Sequence, residues 1–137
     1  VKTLFSNPAR VYDFVRRHMP LQIVSGAKGI GLEIDGEVVA GVIYESYNGH
    51  NVWMHVAVTD GGVSLTRGVL RTIFDYPFNQ MRVARVSGYV EASNEASRKF
   101  CEQLGYRQEA VLSGAASDGG DVIIYAMRRE DCRFLKD

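Results

Sequence analysis

His55 stands between Met54 and Val56 in an apolar run, and its imidazole is the side chain best suited to exchange a proton at neutral pH. It could act as a proton acceptor, although a packed or surface histidine would look the same in sequence. Glu45 and Glu91 each follow an apolar run and could hold a water that acts as a base. A solvated carboxylate at a strand end is the plainer reading of both. Ser97 offers a hydroxyl that donates or accepts, and at a helix start the same hydroxyl can satisfy backbone groups instead. Cys101 has apolar flanks and no histidine–acid pattern that would activate a thiolate, which argues against a nucleophile. His18, His50 and His55 do not combine with Cys101 and Cys132 at a metal-binding spacing, so no metal site is expected. Gly29-Ile30-Gly31 is too short to be a dinucleotide fingerprint.

The chain that must position these groups has 137 residues, enough for a single domain over 1–137 with a substantial core. Apolar residues form 46% and charged residues 23%, a globular composition that argues against a disordered tail. Lys plus Arg and Asp plus Glu are both 16, so there is no global positive field to draw nucleic acid or an anionic membrane. Two cysteines are too few for a disulfide framework, and no apolar run approaches the ~18 residues of a membrane span. The first residues also lack the apolar core of a secretory signal. Together these predict a soluble, cytoplasmic protein.

Asn7-Pro8 followed by Val11, Phe14 and Val15 predicts a capped helix that Pro20 ends. Alternation from Gly29 to Gly36 predicts a strand, turned at Asp35-Gly36. Glu37–Tyr47 and Val52–Val58 follow as strands joined at Asn48-Gly49. A second helix carries Leu65, Val69, Leu70, Ile73 and Phe74 on one face and stops at Pro77. Val83–Val90 reads as a strand. A third helix begins at the capping Asn94, repeats Ala96, Phe100 and Leu104, and ends at Gly105. Arg107–Leu112 and Asp121–Met127 form a closing pair of strands around the loop Ser113–Gly120. The predicted order is α-β-β-β-α-β-α-β-β, an α/β (α+β) domain with one mixed sheet and helices on its faces.

This order, with the segment Val90-Glu91-Ala92-Ser93-Asn94-Glu95-Ala96-Ser97-Arg98-Lys99-Phe100-Cys101-Glu102-Gln103-Leu104-Gly105-Tyr106, resembles the GNAT superfamily of N-acetyltransferases and its N-x-x-S helix ending in Leu-Gly-aromatic. Arg107–Leu112 resembles the branch that acetylates ribosomal-protein N-termini, and small phage-encoded acetyltransferase-like proteins look similar over roughly residues 27 to 130. The resemblance implies a mostly antiparallel sheet whose strands Val52–Val58 and Val83–Val90 splay into a cleft for acetyl-coenzyme A. The pantetheine arm would pair with backbone near Val56, Ala57 and Val58. Asn94, Ser97 and Phe100 would line the arm's path. The family's pyrophosphate loop, of R/Q-x-x-G-x-G/A type, corresponds to Thr59–Gly68, where Val63-Ser64-Leu65 replaces two small residues. Leu65 is expected to crowd the phosphates and Asp60 to repel them, while Gly61, Gly62, Ser64, Thr66 and Arg67 offer donors from a shifted loop.

Acyl transfer to an amine needs the ammonium deprotonated, and the resemblance makes His55, or a water on Glu45 or Glu91, the candidate acceptor. The family's usual tyrosine, which protonates the departing thiolate, is replaced by Cys101, and Ser97 becomes the first candidate to meet the sulfur. The expected acceptor is an amine such as a protein N-terminus. The rival reading is a noncatalytic GNAT-fold module that engages a protein through a degenerate coenzyme A site. A third, acylation of a nucleic-acid base or an RNA-associated protein, has little support from zero net charge. Homodimerisation through the C-terminal strands is a further expectation.

Overall fold

The computed structural model describes residues 2–19, 26–59 and 61–136. Pro20, expected to end the first helix, and Asp60, expected beside the loop, lie outside the described residues.

Helix α1 (Pro8–His18) starts at Asn7, whose side chain accepts from the Arg10 N–H at 3.4 Å. Arg16, Arg17 and His18 occupy its last turn, where the helix dipole favours positive charge. Val11, Phe14 and Val15 bury against β2 (Lys28–Ile34), β3 (Glu37–Glu45) and β4 (Asn51–Val58). Two glycines permit that approach. A Cβ on Gly29 would come within 2.9 Å of Val11, and one on Gly41 within 3.1 Å of Phe14 and Val15.

The three strands are antiparallel, as the turns at Asp35-Gly36 and Asn48-Gly49 predict. Asp35 (φ 51°) and Gly36 (φ 85°) form the tight turn between β2 and β3, with the positive φ at both positions that matches strand twist. Between β3 and β4, the Asn48 side-chain oxygen accepts from the N–H groups of His50 and Asn51 at 3.0 and 2.8 Å. A further strand, β1 (Lys2–Phe5), pairs antiparallel with β2 and was not expected. Its four residues are mostly exposed and carry no apolar alternation long enough to read.

Helix α2 (Arg67–Asp75) is capped by Thr66, whose hydroxyl accepts from the Val69 N–H at 3.4 Å. It buries Val69, Leu70, Ile73 and Phe74, but Leu65, expected on that helical face, precedes the cap. The α-helix ends at Asp75, just before Pro77 as expected, and the chain goes on in a wide turn, Tyr76–Gln80. The Ile73 carbonyl, which the proline has no N–H to meet, accepts from the Tyr44 hydroxyl at 2.7 Å. Arg82 then takes φ 61°, and β5 begins at Arg85 and runs to Glu91.

Helix α3 (Glu95–Leu104) has the expected caps: Asn94 accepts from the Ser97 N–H at 3.2 Å, and Gly105 takes φ 107°. Strands β6 (Arg107–Leu112) and β7 (Val122–Arg128) close the chain's sheet in the order β1-β2-β3-β4-β5-β7-β6. The larger core lies on the face opposite α1, among α2, α3 and the strands, with Tyr44, Phe74, Phe78 and Tyr125 fully buried. Two short turns, Arg129–Asp131 and Arg133–Leu135, strap the end of the chain to it. Phe134 stacks on Phe74 at 5.4 Å, while Arg133 donates to the carbonyls of Leu104 and Gln103 at 2.9 and 2.6 Å. No helix among the described residues is long and apolar enough to cross a membrane.

Candidate active site

Among the described residues the only parallel pair of strands is β4 with β5, and its ladder has three rungs, Asn51–Arg85, Val52–Val86 and Trp53–Ser87. The closed end is fixed by polar contacts. Ser87 donates to the Asn51 side-chain oxygen at 2.6 Å, and Arg85 donates both to Ser87 and, in a two-pronged pair at 2.9 and 2.7 Å, to Glu109. Beyond Trp53 and Ser87 the strands part, leaving Met54–Val58 and Gly88–Glu91 without one another's backbone groups. The gap opens a cleft of about 200 Å³, floored by Phe100, Cys101, Leu104 and Tyr106 and reached by His18 and Met19 at the end of α1.

The expected site residues divide in their placement. Val56, Asn94, Ser97 and Phe100 line the cleft together with His55 and Glu91. Ala57 turns its side chain into the α1 cluster, so only its backbone could serve a ligand, and Val58 packs on the larger core. Ser97 and Cys101 stand one helical turn apart on the cleft face of α3. Burial, and then the neighbouring Glu102 carboxylate, push the Cys101 thiol up to about 11, so it remains protonated at neutral pH.

His55 is buried, and its Nε2 lies 2.9 Å from Glu45 Oε1. With a carboxylate there, Nε2–H is the donor and the Nδ1 lone pair is the ring's free base. Glu45 was read from sequence as a water holder, whereas here it orients the imidazole across β3 and β4. Its second oxygen is buried and without a protein partner. Glu91 is engaged differently: its carboxylate accepts from the Ser117 N–H and hydroxyl at 2.6 and 2.8 Å, fixing the β6–β7 loop beside the cleft mouth. Tyr89, which sequence reading passed over, projects beside His55 with ring centroids 5.2 Å apart. Burial, then Glu45, then Glu91 raise its phenol above the usual value.

The loop before α2 departs from the expected arrangement. Leu65 does not crowd the cleft; it is 8% exposed and belongs to the larger core. Ser64 is buried as well, and Val63 takes the outward position. The Leu65 and Thr66 N–H groups bond to the carbonyls of Gly62 and Ser64, both at 3.0 Å. The Thr66 hydroxyl caps α2, and the Arg67 guanidinium donates to the carbonyls of Arg133 and Lys136 at 3.0 Å each, because the end strap passes beside it. Gly62 (φ 92°) lies under the Phe100 ring, where an added Cβ would meet it at 3.3 Å. Gly61–Arg67 do not line the cleft. Val56, Asn94 and Ser97, with Phe100 below, are the cleft residues that could hold a thioester arm. At the end where its phosphates would lie, the side chains of Thr66 and Arg67 are committed elsewhere. What the chain offers there is the start of α2, whose first N–H groups have no intrahelical acceptor and whose Gly68 has open space around its Cα. Among the described residues, no group of three His, Cys, Asp or Glu is placed to hold a metal ion.

No protein-family model matches the sequence. An uncharacterized N-acetyltransferase of Methanocaldococcus jannaschii is 28% identical over 103 residues, covering 74% of this chain and 66% of that relative. The chain thus spans just under two thirds of the relative's length. Among solved structures, mutant forms of the spermidine/spermine N-acetyltransferase SpeG of Vibrio cholerae superpose with a TM-score of 0.77 at 11% identity, over 100% of both chains. A dodecameric structure of the Vibrio cholerae spermidine N-acetyltransferase in an intermediate state gives a TM-score of 0.77 at 12% identity, over 99% of this chain and 98% of that one.

Proposed function

The chain has the GNAT fold, and on that footing we propose that it is an N-acetyltransferase that moves an acetyl group from acetyl-coenzyme A to an amine by direct attack. The observation that carries this reading is the parting of β4 and β5 immediately beyond Trp53 and Ser87, with His55 and its Glu45 partner at the opening. Bound acetyl-coenzyme A would supply the activated carbonyl, held along Val56, Asn94 and Ser97. An ammonium cannot attack a carbonyl, so the site must first take its proton, and Nδ1 of His55 is the acceptor. Glu45 holds the imidazole in the needed tautomer and offsets the charge it gains. The hydroxyl of Ser97 and the protonated thiol of Cys101 face the sulfur's end of the cleft and can each donate toward a departing thiolate. Glu91, tied to Ser117, shapes the mouth rather than receiving the proton.

The acceptor proposed from the sequence is a protein N-terminus. A small amine is the second reading, favoured by the superposition on spermidine/spermine acetyltransferases. A cytoplasmic setting accompanies either, consistent with two cysteines that are both free. Self-association along β6 is also proposed, because this edge strand is exposed at every residue. Incubating the protein with acetyl-coenzyme A and a panel of peptides and small amines, with mass spectrometry of the products, tests the activity. An acetylated amine with stoichiometric thiol release supports it. A folded protein that acetylates nothing in the panel and does not bind acetyl-coenzyme A points to the noncatalytic module.

A further inference from the structure

The face of the sheet that carries α1 presents an aromatic surface at the point where β4 and β5 part. Trp53 belongs to the last paired rung, and Tyr89 stands two residues beyond Ser87 on the neighbouring strand. Their rings lie 6.1 Å apart at 59°, and the edge-on contact of Tyr89 with His55 continues the wall to the candidate base. Tyr89 is 44% exposed, large for an aromatic ring lining a cleft, and no side-chain hydrogen bond among the described residues explains its position. Trp53 lies opposite Glu45 across the β3–β4 ladder.

The carboxylates on this face differ in their partners. Glu33 is paired with Arg10 at 2.8 Å and Glu109 with Arg85 at 2.7 Å, whereas Glu91 accepts from the neutral Ser117. Glu45 holds His55, and its field together with that of Glu91 reaches the Tyr89 hydroxyl. An aromatic wall beside these two carboxylates attracts an ammonium through the ring faces and accepts an apolar body by burial. Spermidine offers such a wall no ring to stack.

We propose that the acceptor is a primary amine carried on an apolar or aromatic body, which lies on the Trp53–Tyr89 wall and delivers its nitrogen to His55. This rests on the acetyltransferase reading but is separable from it, because Trp53 is the chain's only tryptophan and its emission reports the wall directly. The protein is titrated with phenethylamine, with a phenylalanyl-alanine amide and with spermidine, following Trp53 fluorescence, and acetylation of each by acetyl-coenzyme A is measured in parallel. Phenethylamine or the peptide should shift the emission saturably at concentrations about tenfold below spermidine, and Tyr89→Ala should weaken that binding about tenfold while leaving acetyl-coenzyme A affinity within about twofold. The tighter of the two aromatic probes identifies the source as a free amine or a chain N-terminus. Tighter binding of spermidine, or binding of all three unchanged by Tyr89→Ala, overturns the proposal even if acetylation is observed. Tyr89-dependent binding of an aromatic amine without acetylation of any probe upholds the wall and removes the transferase reading instead.

Discussion

Replacing Glu45 with glutamine keeps the side chain's size and removes the charge that supports His55. The carboxylate sits 2.9 Å from Nε2, and its side chain is 14% exposed, so solvent screens it only in part. A unit-charge pair at this distance is worth about 6 kcal/mol at an effective dielectric of 20, which bounds the effect. Hydrogen bonds to a charged partner typically contribute about 1.5–3 kcal/mol net. If Glu45 supports the imidazolium during proton removal, Glu45→Gln should therefore lower kcat by about 10- to 150-fold with little change in the KM for the amine. The same substitution should lower the phenol pKa of Tyr89, because a carboxylate that opposes phenolate formation has been removed. Steady-state kinetics at saturating acetyl-coenzyme A, with ultraviolet titration of the variant against Tyr89→Phe, reads both effects. A kcat within about twofold of the parent in a variant whose Tyr89 titration has moved would refute the reasoning, since the charge would be gone without consequence for the reaction.

Leu65→Ala should cost about 2–5 kcal/mol in urea denaturation, because the side chain fills the larger core. A negligible cost with tighter acetyl-coenzyme A binding would restore the view that it crowds the phosphates. Arg67→Met should lower the melting temperature by releasing the strap at Arg133 and Lys136, yet change acetyl-coenzyme A affinity in calorimetry by less than about threefold. The Cys101 thiol is raised from 9.0 to about 11, so the folded chain holds this proton more tightly than the unfolded chain. Its contribution to stability is complete below about pH 9 and declines by about 2–3 kcal/mol as pH rises to 11, a slope that Cys101→Ala should remove from alkaline denaturation curves.

The elements that position the cleft were legible because their signals are local. Asn7, Asn94 and Gly105 mark helix ends through their own caps, and the turn residues Asp35-Gly36 and Asn48-Gly49 mark the hairpins that join β2, β3 and β4. Strand β1 escaped because three exposed residues and a half-buried Phe5 at a sheet edge carry almost no pattern. Leu65 was assigned to the helix because its spacing from Val69 fits a helical face, but Thr66 supplies a better cap and the leucine buries from the turn before it. His55 and Glu45 were both visible as candidates, whereas their pairing depends on the β3–β4 register and could not be read from either segment alone. The commitment of Arg67 was hidden for a similar reason, since its acceptors lie near the other end of the chain. Tyr89 carried a signal that was available: it is the large aromatic, flanked by Gly88, on the strand that opens the cleft.

The most direct test of the account is calorimetric titration of acetyl-coenzyme A into the parent protein and into Asn94→Ser, after removal of any ligand carried through purification. Serine keeps an oxygen to cap α3 at the Ser97 N–H but deletes the amide donors of Asn94, which lines the cleft. The account predicts saturable binding by the parent, weakened about tenfold in a variant of near-parent stability. Absence of binding by a folded, ligand-free parent, or equal affinity in the two proteins, would contradict the claim that this cleft receives the thioester arm.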